Sequence, residues 1–358
     1  MPSSKKDRIL VTGGAGFIGS NFIHYLFKQA DFKGIVVNVD KLTYAGNLEN
    51  LAEIEKNYAG KRYFFEKADI CNQENISAVF AKYAIDTVVN FAAESHVDRS
   101  IFGPKEFIQT NIIGTFTLLE AARKAWGARE NVLFHHVSTD EVYGSLGESN
   151  FFHENTPYDP HSPYSASKAA SDHLVSAYFH TYHLPVTISN CSNNYGPYHF
   201  PEKLIPLMIL NMLDEKPLPV YGDGKNVRDW LFVEDHCSAI FAILKKGRRG
   251  ETYNIGGGNE WTNIDLVTKL CETVAKKKNK PSDYFKKLIT YVNDRPGHDR
   301  RYAINCDKIK KELGWKQSVT FAEGLDRTVS WYLTNPDWID HVKSGAYRQW
   351  IDQNYKAR

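Results

Sequence analysis

The chain has 358 residues, and its 44 Lys and Arg nearly balance 42 Asp and Glu, which excludes a nonspecific nucleic-acid or polyanion binder. The five cysteines, at 71, 191, 237, 271 and 306, form no C-x-x-C pair and no metal spacing, so they read as free thiols of a reducing compartment and no metal is expected. No apolar stretch approaches the ~20 residues that span a bilayer, and Met1 to Arg8 is polar rather than a signal peptide, so a cytoplasmic location is expected.

In that setting the sequons Asn75-Ile76-Ser77 and Asn190-Cys191-Ser192 are chance matches. The length suits roughly two domains. The first is expected over 1–190 with a returning segment near 230–258, the second mainly over 191–358.

Ile9-Leu10-Val11-Thr12 reads as a strand that opens into Gly13, Gly16 and Gly19 and then an apolar-periodic helix through Phe27. Gly13 permits a tight turn, Gly16 lets a pyrophosphate approach the backbone, and Gly19 lets helix pack on strand. A second strand over 35–40 ends in Asp40, twenty-one residues beyond Gly19. A carboxylate there accepts both ribose hydroxyls and repels a 2′-phosphate, which favours NAD. Asp69-Ile70 follows a strand over 63–66, where an adenine edge would lie.

Further strands are expected over 86–91, 132–138 and 186–190, with helices over 74–83, 104–126 and 163–183. This alternation predicts a Rossmann-type α/β fold, a doubly wound parallel sheet. Beyond 190 the order changes: helices over 203–213 and 235–246 and extended segments over 217–221 and 252–255 predict a smaller mixed α/β domain. Gly256-Gly257-Gly258 reads as a turn near a bound ligand.

Two adjacent carboxylates stand at the end of the 132–138 strand, in Ser138-Thr139-Asp140-Glu141-Val142-Tyr143-Gly144. An acid beside a base suits β-elimination of water, one protonating the departing hydroxyl while the other removes a carbon-bound proton. Consecutive strand residues point to opposite faces, so both reach one substrate only if the backbone turns after Thr139. Downstream, Ser162 is a plausible N-cap with Pro163 at the first helical position, which sets Tyr164 and Lys168 four apart on one face. Tyrosine titrates near 10 unperturbed; a lysine one turn away, a helix N-terminus and an oxidised nicotinamide all favour its phenolate.

Tyr164, Lys168 and the strand-end hydroxyl make the chain resemble the extended short-chain dehydrogenases/reductases, and the double carboxylate makes it similar to their nucleotide-sugar dehydratases. Matching segments span nearly the whole chain: 40–47, 92–98, 139–144, Asn193-Asn194-Tyr195-Gly196-Pro197, 201–206, Arg228-Asp229-Trp230 and 294–302. The resemblance implies NAD as cofactor and dTDP-glucose as substrate. It also implies three steps: oxidation at C4 by Tyr164 and Lys168 with Thr139 orienting the oxygen, loss of water through Glu141 and Asp140, and return of hydride to C6.

It further implies that Phe17, Ile18, Asp40, Lys41, Leu42, Thr43, Asp69, Ile70, Ala92, Ala93, Thr110 and Asn194 line the NAD site with Tyr164 and Lys168. Ser95, Asn193, Lys203, Leu204, Pro219, Val220, Tyr221, Arg228, Asn263, Asp294, Arg295, Pro296, Gly297 and His298 would hold the sugar nucleotide with Thr139. Asn305 stands where an aspartate is expected, and the 145–159 loop is shorter than in some members.

His135, His136, His180 and His183 read as structural or surface residues. Phe107, Ile112, Phe116, Leu119, Leu174 and Tyr178 read first as core, and the resemblance implies a homodimer through their two helices. A 4-epimerase would share the NAD and Tyr164–Lys168 machinery but needs no dehydrating acid pair. A noncatalytic NAD-binding scaffold would need none of the five reactive side chains.

Overall fold

The computed structural model describes residues 8–343; the N-terminal stretch through residue 7 and the end of the second expected domain, 344–358, lie outside them. The first half runs β1 (Arg8–Thr12), α1 (Phe17–Lys28), β2 (Ile35–Asp40), α2 (Ala52–Tyr58), β3 (Tyr63–Lys67), α3 (Gln73–Tyr83), β4 (Thr87–Asn90), α4 (Val97–Phe102), α5 (Pro104–Phe107), α6 (Thr115–Trp126), β5 (Leu133–Thr139), α7 (Pro163–Tyr182) and β6 (Val186–Cys191). The second runs β7 (Asn193–Tyr195), α8 (Leu204–Leu213), β8 (Leu218–Tyr221), β9 (Val227–Phe232), α9 (Val233–Lys246), β10 (Thr252–Ile255), β11 (Glu260–Thr262), α10 (Asn263–Lys277), β12 (Ile289–Val292), α11 (Asp307–Leu313), α12 (Phe321–Thr334) and α13 (Pro336–Lys343).

Seven parallel strands form the main sheet in the order β10-β6-β5-β4-β1-β2-β3. Alternation along β1 builds both cores at once. Ile9 and Val11 pack with Phe22, Ile23 and Ile240 on one face, while Leu10 packs with Phe80, Leu118 and Val175 on the other. Chain order reverses between β1 and β4, so the carboxyl ends of these strands flank a crevice.

The chain leaves this sheet after β6 and returns twice. First α9 packs beside α1 and β10 pairs with β6; then Ile304, Ile309, Leu313 and Trp315 join the same core. The remaining elements make a smaller layer, in which a β11-β9-β7 sheet and the β12-β8 pair are covered by α8, α10, α12 and α13. The short strands β7, β9, β11 and β12 show no clear alternation in sequence.

Three local features bear on these expectations. The helix expected over 104–126 is split by a wide π turn at Ile108–Gly114, where buried Asn111 donates to the Glu94 carbonyl at 3.0 Å and to Ser167 Oγ at 2.8 Å. Gly256-Gly257-Gly258 forms the expected turn and wraps the Asp229 carboxylate: the Gly257 and Asn259 N–H groups donate to it at 2.9 and 2.6 Å. Asn305 and the 145–159 loop meet each other, for Phe152 exchanges backbone hydrogen bonds with Ala303 and Asn305 at 2.9 and 2.8 Å.

Candidate active site

A cavity of about 430 Å³ opens at the carboxyl ends of the sheet strands and runs from the β1–α1 turn to the β8 and β9 strands of the smaller layer. Its first wall is steric. Gly13 has φ +68°, and a Cβ there would stand 2.8 Å from the Ala92 nitrogen; a Cβ on Gly19 would overlap the Gly13 carbonyl oxygen. Chain therefore approaches chain too closely for any side chain, and the bare turn is a cradle for a diphosphate at the α1 N-terminus.

Asp40 closes β2 beside that cradle. Its carboxylate accepts the Ala15 and Leu42 N–H groups at 3.0 and 2.8 Å, and burial raises its pKa against those hydrogen bonds. Lys41 reaches the neighbouring strand end and pairs with Asp69 at 2.8 Å. Thr12 donates to Asn90 at 2.6 Å and accepts the Ala92 N–H at 3.2 Å, which ties the two central strand ends together. Residues, spacing and steric hollow fit NAD.

The second wall is electrostatic. β5 ends at Thr139 and the chain turns at once into a 3₁₀ turn, Asp140–Tyr143, with Thr139 Oγ1 accepting the Glu141 N–H at 3.3 Å. The turn is pinned from below by buried Val142 and by Tyr143, whose hydroxyl donates to Asn254 at 2.9 Å. Asp140 and Glu141 both line the cavity as a result.

The two carboxyls sit in different fields. Burial pushes Asp140 well above the usual carboxylate range, Glu141 and Asp229 push it further, and its Oδ2 has no partner. Burial also raises Glu141, but Arg295, Arg228 and Lys203 oppose the rise. The field thus favours the protonated form more strongly at Asp140 than at Glu141, which has three cations opposing the rise.

Ser162 and Ser165 cap α7 reciprocally, each side chain accepting the other's backbone N–H at 3.0 Å, and Pro163 fills the first helical position. That cap aims Tyr164 and Lys168 at the end of β5. Burial and then Glu141 push the Tyr164 phenol well up, while Thr139 donates against that rise. Lys168 donates to the Val137 carbonyl at 2.8 Å, and burial lowers its pKa.

The third wall holds cations. Arg228 donates to the Val227 and Asp299 carbonyls at 2.7 and 3.0 Å and lies 4.2 Å from the Tyr302 ring centre. Arg295 donates to Asp98 at 2.9 Å while its buried Nε has no partner. Lys203 donates to the Ser95 carbonyl at 2.7 Å. A planar guanidinium with a donor to spare suits a diphosphate.

Most residues named from sequence line this one cavity; Leu42, Asp294, Pro296 and Gly297 do not. Leu42 takes φ +58° and turns its N–H to Asp40, and Asp294 is drawn to His298 at 2.6 Å, whose pKa burial lowers to about 4. Residues not named from sequence line it too: Glu94, His96, Asp98, His199 and Glu202. Asp98 holds both Arg295 and the Tyr221 hydroxyl, the latter at 2.9 Å. Glu202 accepts Tyr44 at 2.8 Å and Arg99 at 3.1 Å, and the Arg99 guanidinium lies 3.6 Å from the Tyr44 ring centre. This clasp joins the loop after β2 to the segment before α8.

The family described as GDP-mannose 4,6 dehydratase matches residues 10–328. A dTDP-glucose 4,6-dehydratase of Escherichia coli is 56% identical over 365 aligned positions, covering 98% of this chain and 99% of that protein. Two solved structures superpose over 94% of this chain and the whole of theirs. One, dTDP-glucose 4,6-dehydratase of Bacillus anthracis in complex with NAD, has a TM-score of 0.83 at 49% identity. The other, DesIV of Streptomyces venezuelae, a dTDP-glucose 4,6-dehydratase with NAD and dTDP bound, has a TM-score of 0.85 at 46% identity.

Proposed function

This chain belongs to the GDP-mannose 4,6-dehydratase family, and from that membership and the site's geometry we infer an NAD-dependent hydro-lyase that converts dTDP-glucose to dTDP-4-keto-6-deoxyglucose. The observation that carries the reading is the Asp140–Glu141 pair, one buried and one half-buried carboxyl in unlike fields at the strand end that lines the same cavity as Tyr164. Oxidation and re-reduction alone require neither.

NAD, which the glycine turn and Asp40 would hold, would supply the hydride acceptor for C4 and the hydride donor for C6. Tyr164 takes the C4 hydroxyl proton, with Lys168 supporting its phenolate and Thr139 orienting the oxygen. A ketone at C4 acidifies the C5 proton. Glu141 then removes that proton while Asp140 protonates the C6 hydroxyl, which leaves as water, and Glu141 later reprotonates C5. Over the cycle Tyr164 gains one proton and Asp140 loses one, so a proton must pass from phenol to carboxylate before the next turnover.

Gly13, Gly16, Gly19 and Asp40 serve the cofactor in this reading. Arg228, Arg295, Lys203 and Asn193 serve the nucleotide sugar, with residues 191–358 contributing most of that half. A homodimer would cover the exposed Phe102, Ile108, Ile113, Phe116 and Tyr182, an apolar run on the α4–α7 side. Five unpaired cysteines favour the cytoplasm.

Turnover of dTDP-glucose in deuterated water tests the reaction. The expected product has lost water and gained one solvent deuterium at C5. A product of unchanged composition would make the enzyme an epimerase, and unconverted substrate would leave only a scaffold.

A further inference from the structure

The i, i+4 face that carries Tyr164 and Lys168 continues to Asp172 on α7, a residue the reaction scheme above leaves unused. Asp172 is 2% exposed, and Lys168 is 4% exposed. A buried ammonium needs a nearby negative charge to stay protonated.

Groups face Lys168 from the elements packed around it: Asp172 on its own helix, His136 and the Val137 carbonyl on β5, and Cys191 on β6. Burial pushes the Cys191 thiol up to about 12, so it carries no charge. Asp172 is the carboxylate that acts on the lysine most strongly. His136 Nε2 stands between them, 3.4 Å from Lys168 Nζ and 3.4 Å from Asp172 Oδ1.

The tautomer of His136 follows from its neighbours. Asn90 accepts from Thr12 through its oxygen at 2.6 Å, so its NH₂ faces Thr115 and His136 Nδ1, the latter at 3.1 Å. Nδ1 therefore accepts, and in the neutral ring Nε2 carries the hydrogen, 3.4 Å from an Asp172 oxygen that has no hydrogen-bond partner. Burial, and then Lys168, hold the ring neutral. Ser138 and Tyr158 donate to the other Asp172 oxygen at 2.7 and 3.0 Å.

Two neutral donors, Ser138 and Tyr158, thus solvate one oxygen of a buried carboxylate whose other oxygen has no partner and whose charge is left to act on Lys168. We propose that Asp172 is a positioning residue for the hydride relay: with His136 as spacer and Ser138 and Tyr158 as anchors, it is the counter-charge that holds Lys168 as an ammonium behind Tyr164. Asp172 does not touch substrate or cofactor. The proposal rests on the reading of Tyr164 as the base.

Loss of the carboxylate weakens the ammonium, the phenolate loses its cation, and Tyr164 demands a higher pH to ionise. In Asp172→Asn the acid limb of the single-turnover rate of C4 oxidation against pH, the step that Tyr164 carries, is expected to move up by roughly one unit, with KM for dTDP-glucose unchanged. The first formation of reduced nicotinamide, followed by its absorbance, slows at low pH and recovers at high pH. Asp172→Glu restores the wild-type limb.

A folded Asp172→Asn enzyme with the wild-type profile would overturn the proposal, as would an equal loss of rate at every pH. If Asp172→Asn does not fold, Tyr158→Phe removes one anchor, loosens the carboxylate beside Lys168 and must move the limb the same way by a smaller step; an unmoved limb overturns the proposal equally. Wild-type enzyme that leaves dTDP-glucose intact would instead overturn the functional reading.

Discussion

The ends of β1 and β5 are built on opposite principles. The β1 end is defined by what is missing: glycines stand where any Cβ would strike the Ala92 or Gly13 backbone. The β5 end is crowded with reactive groups, Thr139, Asp140 and Glu141, held in a buried turn with a carboxyl oxygen that nothing pairs. A binding turn of this kind is stable because it is empty, whereas a reactive turn carries desolvated acids that the surrounding fold must hold in place.

Substitutions at the β5 end should stop the chemistry and spare the cofactor. Glu141→Gln is expected to lower turnover about 10³-fold, with reduced nicotinamide accumulating after substrate is added because oxidation at C4 precedes the block. Asp140→Asn should do the same less severely, about 10²-fold. Rapid-mixing absorbance separates the steps, and wild-type turnover in either variant would remove that carboxyl from the mechanism.

Substitution at the β1 end should reverse the pattern. Gly19→Ala forces a methyl against the Gly13 carbonyl, a clash of about 3 kcal/mol that lowers NAD affinity roughly 10²-fold by the 1.36 kcal/mol per decade conversion. Calorimetric titration of the cofactor measures it. Glu141→Gln should bind NAD like the wild type in the same titration.

The pH profile sharpens the contrast between the two acids. Glu141 must be ionised and Asp140 protonated, so kcat should fall on the acid side as Glu141 gains its proton and on the alkaline side as Asp140 loses its own. Each limb changes about tenfold per pH unit. Asp140→Asn, which cannot ionise, should lose the alkaline limb assigned to residue 140.

The smallest expected effect is on stability. Asp140 has a raised carboxyl in the folded chain, so its contribution is fully present below the unfolded value of about 3.9 and is lost as pH rises through the folded value. Melting temperature should therefore fall across that window, and Asp140→Asn should be flatter there. Thermal melts across the window decide it.

The β1 end was legible from letters because glycine spacing reports a steric fact directly. Tyr164 and Lys168 were legible because a capped helix has a known pitch, and Asp140–Glu141 because two acids at a strand end are rare enough to notice. The unlike fields of those acids were not legible, since they come from Asp229, Arg228, Arg295 and Lys203, distant in sequence. Asp98 and Glu202 lay inside recognisable segments, but only the packing of α4 against the segments before α8 and α11 makes them partners of Arg295 and Tyr44. The π turn was hidden for a related reason: it depends on Asn111 finding Ser167 across space, while its apolar pattern reads as unbroken helix.

The clasp of Tyr44, Glu202 and Arg99 fastens the loop after β2 to the segment before α8. A dehydrogenase with such a buckle would have to undo it after every reaction to exchange spent coenzyme for fresh. In the cycle proposed above the borrowed electrons are repaid before the sugar departs, so the clasp has no need to open for the coenzyme between turnovers, and the doorway has only to pass a sugar nucleotide.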